Sequence, residues 1–205
     1  MIVKVCGMRE KENIQELLAL DIHIMGMIFY KKSPRYVRRT PGIKFPDTIK
    51  KAGVFVNAGY DEIMKKSEQF GLDIIQLHGN EIPELGKKLS ANGLEVFKAF
   101  GIDELFDFDK TLPFSQSCSL FVFDSRTKSY GGSGKKYNWK KLNEYKGKTK
   151  FLLSGGIGPD DLSAVKNFSH PLFAGIDLNS GFEISPGVKD IAALKIFLNK
   201  IRKDH

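Results

Sequence analysis

The chain predicts a single (β/α)8 barrel, the TIM-barrel architecture, and three observations carry that prediction. Short β-branched and apolar runs alternate with helical patterns from end to end, which calls for a parallel sheet covered by helices. Eight such runs are present, more than an open doubly wound sheet usually carries. The last two stop at glycine-containing turns, Ser154-Gly155-Gly156 and Asn179-Ser180-Gly181, and barrels of this kind commonly hold a phosphate after strands seven and eight. At 205 residues, with no linker, repeat or low-complexity segment, one compact domain over residues 1–205 is expected.

The first strand is read at residues 2–6, and a helix follows on the i, i+3, i+4 spacing of Ile14, Leu17 and Leu18. The second strand is read at 22–29. Pro34, Pro41 and Pro46 then forbid a long helix, so the second helix is expected to be shortened to a stub near 48–52 after an extended basic loop. Strand three is placed at 54–57, and a helix with Ile63, Met64 and Phe70 on one face leads to strand four at 74–77, which stops at His78-Gly79. The next helix begins near Pro83, a residue tolerated in a first turn. Strand five is read at 95–100, and a weakly patterned helix after it ends before Pro113. Strand six, at 120–124, runs into a glycine-rich loop at 125–136 and then a helix carrying Trp139, Leu142 and Tyr145. Strand seven follows at 151–153, a helix opens at Pro159, strand eight spans 172–177, and a last helix carries Ile191, Leu194, Leu198 and Ile201.

Composition narrows the class. Cys6 and Cys118 stand far apart and form no metal-ligand spacing, and the four histidines are scattered singly; no disulfide, metal or cofactor is expected. The N-terminus lacks a basic leader with an apolar core, and no apolar run reaches membrane-spanning length, so a cytoplasmic location without membrane contact is expected. A net charge of +8 admits either an anionic small molecule or a nucleic acid as partner. Most of the excess lies in scattered lysines, but Lys31, Lys32, Arg35, Arg38 and Arg39 form a denser cluster.

In such barrels the chemistry sits at the carboxyl ends of the strands. Cys6 ends strand one, His78 follows strand four, Asp124 ends strand six and Asp177 ends strand eight. Taken singly, each is as readily structural as functional. Their shared position makes coincidence the weaker reading. Gly155 and Gly156, then Ser180 and Gly181, form the two turns whose backbone N–H groups would cradle a phosphate. Strand order around the barrel puts that phosphate between Asp124 and Cys6, with the Arg35 loop beyond. An acid and a soft base flanking a sugar phosphate point to proton transfer, as in isomerisation. No dinucleotide fingerprint is present, and the 131–136 segment is not a Walker A loop: Ser129 stands five residues before Gly134, and Lys135 is followed by lysine. That segment is read as a lid.

These residues resemble the phosphoribosylanthranilate isomerase family of tryptophan biosynthesis over nearly the whole chain. The resemblance rests on Lys4-Val5-Cys6-Gly7-Met8, Ser33-Pro34-Arg35-Tyr36-Val37, Gln76-Leu77-His78-Gly79, Asp124-Ser125 with Gly131-Gly132-Ser133-Gly134-Lys135, Leu153-Ser154-Gly155-Gly156-Ile157, and Gly175-Ile176-Asp177 with Ser180-Gly181-Phe182-Glu183. Asn138 stands where the family usually has Asp. What the resemblance implies is an Amadori rearrangement of N-(5′-phosphoribosyl)anthranilate to 1-(o-carboxyphenylamino)-1-deoxyribulose 5-phosphate. It implies Asp124 as general acid, Cys6 as general base, Arg35 as partner of the anthranilate carboxylate, and Gly155, Gly156, Ser180 and Gly181 around the phosphate. His78 and Asp177 are expected to face substrate as well, with hydrogen bonding inside the barrel mouth an equal alternative for His78. A histidine-pathway relative is the nearest competitor, but that design resembles two aspartates where this chain has Cys6. A barrel that binds nucleic acid without turnover is the alternative of another class. The expected partner is therefore a small phosphorylated molecule, bound by a monomer, with no nucleic acid.

Free Asp and Cys titrate near ~3.9 and ~8.5, the wrong side of neutrality for both roles. Burial is expected to raise Asp124, and nearby positive charge to favour a thiolate at Cys6. Strand alternation points Lys4 inward with Cys6. An unpaired ammonium there would be costly, so Lys4 is expected to pair with Asp177.

Overall fold

The computed structural model describes residues 1–126 and 136–202. Eight parallel strands close in chain order: β1 (Ile2–Val5), β2 (Ile24–Ile28), β3 (Lys50–Phe55), β4 (Ile74–Leu77), β5 (Glu95–Ile102), β6 (Leu120–Ser125), β7 (Phe151–Leu153) and β8 (Phe173–Leu178). β8 returns to β1 with Lys4 opposite Asp177, which seals the barrel. Residues of period two divide the two faces. Ile24, Ala52, Ile74, Phe97, Leu120 and Leu152 fill the interior, while Val3, Val5, Met25, Ile75, Phe121 and Phe123 face the outer layer.

The helices α1 (Lys11–Leu18), α2 (Tyr60–Phe70), α3 (Pro83–Ala91), α4 (Leu162–Lys166) and α5 (Ile191–Arg202) cover that outer face. Elsewhere 3-10 turns suffice, at Phe108–Phe114, Trp139–Glu144, Pro159–Asp161 and Ser180–Phe182. Aromatic packing explains how such short pieces hold: Tyr145, which caps the second of them, lies 5.1 Å from the Phe123 ring and donates its hydroxyl to Thr149 O at 2.9 Å. A short antiparallel hairpin, β9 (Glu183–Ser185) and β10 (Val188–Lys189), is inserted before α5. No described helix is long and apolar enough to cross a membrane.

Three elements differ from expectation. The stub at 48–52 is the beginning of β3, which starts at Lys50. Its entry is hidden in the sequence because Lys50 and Lys51 sit at the polar base of the barrel, where Lys50 pairs with Glu95 at 2.7 Å. The second helix is thus reduced all the way to turns between β2 and β3, fastened by Val37 N donating to Ile28 O at 2.9 Å. The segment expected to end before Pro113 is a 3-10 helix that runs through it to Phe114, closed by Ser115 N donating to Leu112 O at 3.2 Å. At Pro159 the chain makes a 3-10 turn before the five-residue α4. The glycine-rich segment read as a lid falls largely outside the described residues.

Candidate active site

A cleft of about 670 Å³, open solvent at its mouth included, lies at the carboxyl ends of the strands. Cys6, His78, Asp124 and Asp177 line it, and so do Gly155, Gly156, Ser180 and Gly181. Apolar walls come from Ile28, Val54, Val56 and Ile157.

The glycine turns depend on having no side chain. Gly155 has φ +91°, and a Cβ there would stand 2.6 Å from Ser125 N and 3.2 Å from Asp124 Oδ1. Gly156 has φ +70°. At Gly181 a Cβ would stand 2.1 Å from Ile157 O, so the turns after β7 and β8 touch backbone to backbone. Glycine alone permits both the left-handed turn and this approach. Asp161 fastens the first turn by accepting from Gly158 N at 2.7 Å.

Asp124, near the end of β6, accepts from Ser125 N at 2.8 Å. Burial raises its carboxyl above the ordinary range, against the pull of the Ser125 amide and of Lys4. The expected upward shift is present. His78 Nε2 stands 3.6 Å from Asp124 Oδ2, too long for a strong hydrogen bond. Burial, with Lys98 and Lys4 nearby, lowers His78 to about 4, so the imidazole is neutral and the contact is no ion pair.

Cys6 follows β1 and is 4% exposed. Gly26 on neighbouring β2 makes its room, because a Cβ there would meet Sγ at 2.7 Å. Lys4, fully buried, donates to Asp177 Oδ2 at 2.7 Å, the pairing expected from strand alternation. Asp177 Oδ1 is buried with no hydrogen-bond partner among the described residues. The expected thiolate is not the resting state of Cys6. Burial is the largest influence and raises the thiol, while Lys4 and Lys189 pull it down and Asp177 opposes them.

Arg35 departs from its expected setting. It does not line the cleft but is buried beside it, and its guanidinium is gripped by Glu183: Nε to Oε1 at 2.8 Å, Nε to Oε2 at 3.0 Å and Nη2 to Oε2 at 2.6 Å. Lys189 Nζ reaches the same Oε1 at 2.7 Å. A fork of this kind is the strongest geometry a carboxylate offers arginine.

A family model described as N-(5′-phosphoribosyl)anthranilate (PRA) isomerase matches residues 3–200. The chain belongs to this family. The isomerase of Parabacteroides distasonis is 50% identical over 206 residues, covering 98% of this chain and 93% of that one. The solved isomerase of Thermotoga maritima superposes with a TM-score of 0.86 at 30% identity, covering 98% of this chain and 99% of that one. A further solved PRA isomerase, at TM-score 0.84 and 26% identity, covers the same shares and is in complex with reduced 1-(o-carboxyphenylamino)-1-deoxyribulose 5-phosphate.

This chain is accordingly an aldose–ketose isomerase of tryptophan biosynthesis on a (β/α)8 barrel. Of the residues that the PRA isomerase resemblance singles out, the cleft gathers all but Arg35. Two charged residues escaped sequence reading, Glu183 as a partner of Arg35 and Lys189 as a neighbour of Cys6. Glu183 stood at the end of a quoted run, Ser180-Gly181-Phe182-Glu183. Lys189 carried no signal, being one lysine among many.

Proposed function

We propose that the chain rearranges N-(5′-phosphoribosyl)anthranilate with Asp124 as general acid and Cys6 as general base. The observation that carries this is the shared cleft: the acid, the thiol and both glycine turns line one opening at the carboxyl ends of the strands. The phosphate sits on Gly155, Gly156, Ser180 and Gly181, where backbone donors meet an anion without side-chain interference. With that end held, the ribose lies between Asp124 and Cys6.

Asp124 gives its proton to the ring oxygen as the C1′–O bond breaks, and the anilino nitrogen lone pair forms the C1′=N bond. The product is an open-chain protonated Schiff base. Cys6, as thiolate, takes the C2′ proton, and the electron pair of that C–H bond becomes the C1′=C2′ bond of an enolamine. Tautomerisation returns a proton to C1′ and leaves the ketone at C2′. Burial keeps a fraction of Asp124 protonated at neutral pH. Lys4 stabilises the negative charge that forms on sulfur, since its ammonium interacts with both Asp177 and Cys6. Asp177 Oδ1, buried and unpaired, accepts from a ribose hydroxyl. His78, neutral, faces Asp124 without competing for its charge. Arg35 receives the anthranilate carboxylate on the guanidinium edge that Glu183 leaves open.

We further infer a monomer, because the exposed large apolar side chains among the described residues, Met1, Ile82, Leu105, Leu112, Ile184 and Ile196, are spread along the chain from end to end. A cytoplasmic setting fits two free, buried thiols. The test of the assignment is loss of substrate fluorescence with purified protein and freshly made substrate. Cys6→Ala and Asp124→Ala should each lower kcat by roughly 10² to 10⁴ with the fold intact; full kcat in either variant refutes its role.

A further inference from the structure

The β9–β10 hairpin lies outside the barrel strands, yet its charged side chains reach the edge of the cleft. Glu183 accepts from Arg35 and, on Oε1, from Lys189 Nζ at 2.7 Å and Gly187 N at 3.0 Å. Lys189 Nζ also donates to Asn179 Oδ1 at 2.8 Å, and Asn179 lines the cleft. The Lys189 backbone is tied to Asn13 of α1 in both directions, N to Oδ1 at 2.7 Å and O from Nδ2 at 2.9 Å. Gly7, next to Cys6, packs against this group so closely that a Cβ would stand 2.5 Å from Asn179 Oδ1 and 2.9 Å from Arg35 Cδ.

The charges do not cancel. Lys4 and Asp177 neutralise each other. Arg35 and Lys189 share the single carboxylate of Glu183, so one positive charge is left over in side chains no more than 6% exposed. Burial alone would raise Glu183, but its two cations hold it below the ordinary carboxyl range, so it stays charged. A buried surplus charge is costly and leaves a place for an anion to complete.

We propose that Glu183 and Lys189 are positioning residues for the carboxylate end of the substrate: Glu183 aims the Arg35 guanidinium so that Nη1 remains for the ligand, and Lys189 keeps the cluster net positive. This rests on the reading of Arg35 as the partner of that carboxylate. It also explains why Arg35 is not at the rim. Without Glu183 a long side chain among prolines has no fixed orientation, and without Lys189 the Arg35–Glu183 pair is neutral and attracts no anion.

The test compares two ligands on the full chain: reduced 1-(o-carboxyphenylamino)-1-deoxyribulose 5-phosphate, and the same compound lacking the ring carboxylate. Lys189→Met removes one cation and leaves the Arg35–Glu183 contacts in place. It should weaken the carboxylated ligand roughly ten-fold and change the other by less than about two-fold. Equal weakening of both ligands makes Lys189 merely structural and overturns the proposal; so does no change in either. Glu183→Asp, too short to hold both cations, should show the same selective loss and supplies the answer if Lys189→Met does not fold. Wild type separates the two levels of inference. If it binds both ligands alike, Arg35 does not recognise the carboxylate and the underlying reading fails. If it prefers the carboxylated ligand and both variants keep that preference, only the role of the hairpin is refuted.

Discussion

Replacing Lys4 by methionine removes a fully buried ammonium from a carboxylate 2.7 Å away that is itself 5% exposed. Asp177 then has no partner on either oxygen, because Oδ1 has none in the intact protein. Breaking a buried pair from one side costs about 3–5 kcal/mol. At about 2–4 °C per kcal/mol for a chain of this size, the melting midpoint should fall by roughly 6–20 °C. The loss comes from the stranded carboxylate more than from the missing attraction, so Lys4→Met/Asp177→Leu should recover most of it, leaving the double variant within about 1–2 kcal/mol of wild type. Denaturant unfolding of the four proteins measures the coupling. Additivity of the two single variants to within about 0.5 kcal/mol refutes the buried-pair reasoning. The pH sign is also fixed: Lys4 is raised above its ordinary 10.5, so the stabilisation is complete at neutral pH and is lost only as pH climbs through the folded value. The Lys4→Met deficit should therefore not shrink between about pH 7 and 9. The stable double variant should remain slow, since it lacks both the cation that favours the Cys6 thiolate and the Asp177 carboxylate proposed to bind the ribose.

The pH profile of kcat/KM should be bell-shaped with both limbs displaced upward. On the proposed mechanism catalysis needs Asp124 protonated and Cys6 ionised, while burial raises both; the doubly competent form grows until pH passes the Asp124 value, stays level, and falls beyond that of Cys6. A profile whose acid limb lies at or below the ordinary carboxyl value of 3.8 contradicts this. Gly155→Ala should raise KM at least ten-fold and cost roughly 1–3 kcal/mol of stability, because φ is +91° and the new Cβ meets Ser125 N at 2.6 Å; steady-state kinetics with a melting curve checks both, and an unchanged KM removes Gly155 from the phosphate site.

The sequence makes legible whatever follows from strand order and alternation. Cys6, Asp124 and Asp177 share a cleft because each stands at the same end of its strand, and Lys4 meets Asp177 because alternation turns both inward in neighbouring strands. Local polar residues concealed the rest. Lys50 and Lys51 disguised the start of β3 as a helical stub. The grip on Arg35 joins residues 148 apart in the chain through a hairpin that no hydrophobic period announces. The protonation state of Cys6 is a difference between desolvation and four nearby charges or hydrogen bonds, and their order of size depends on depths that residue types do not reveal.

The same charges bear on the choice between a small ligand and a nucleic acid. Lys4, Arg35 and Lys189, the cations beside the cleft, are buried, whereas Lys31, Lys32, Arg38 and Arg39 are exposed, and a polymer backbone makes its contacts on exposed side chains. The proposed substrate, a small phosphorylated carboxylate, would instead use the buried set. Its arrival adds negative charge beside a thiol that must itself become negative, which on its own would push Cys6 further up. Lys4 opposes that rise, and Asp177 works against Lys4. In the proposed mechanism the surplus cation of the Arg35–Glu183–Lys189 cluster adds to the pull of Lys4, so the group proposed to receive the substrate also keeps the proposed base within reach of its ionised form.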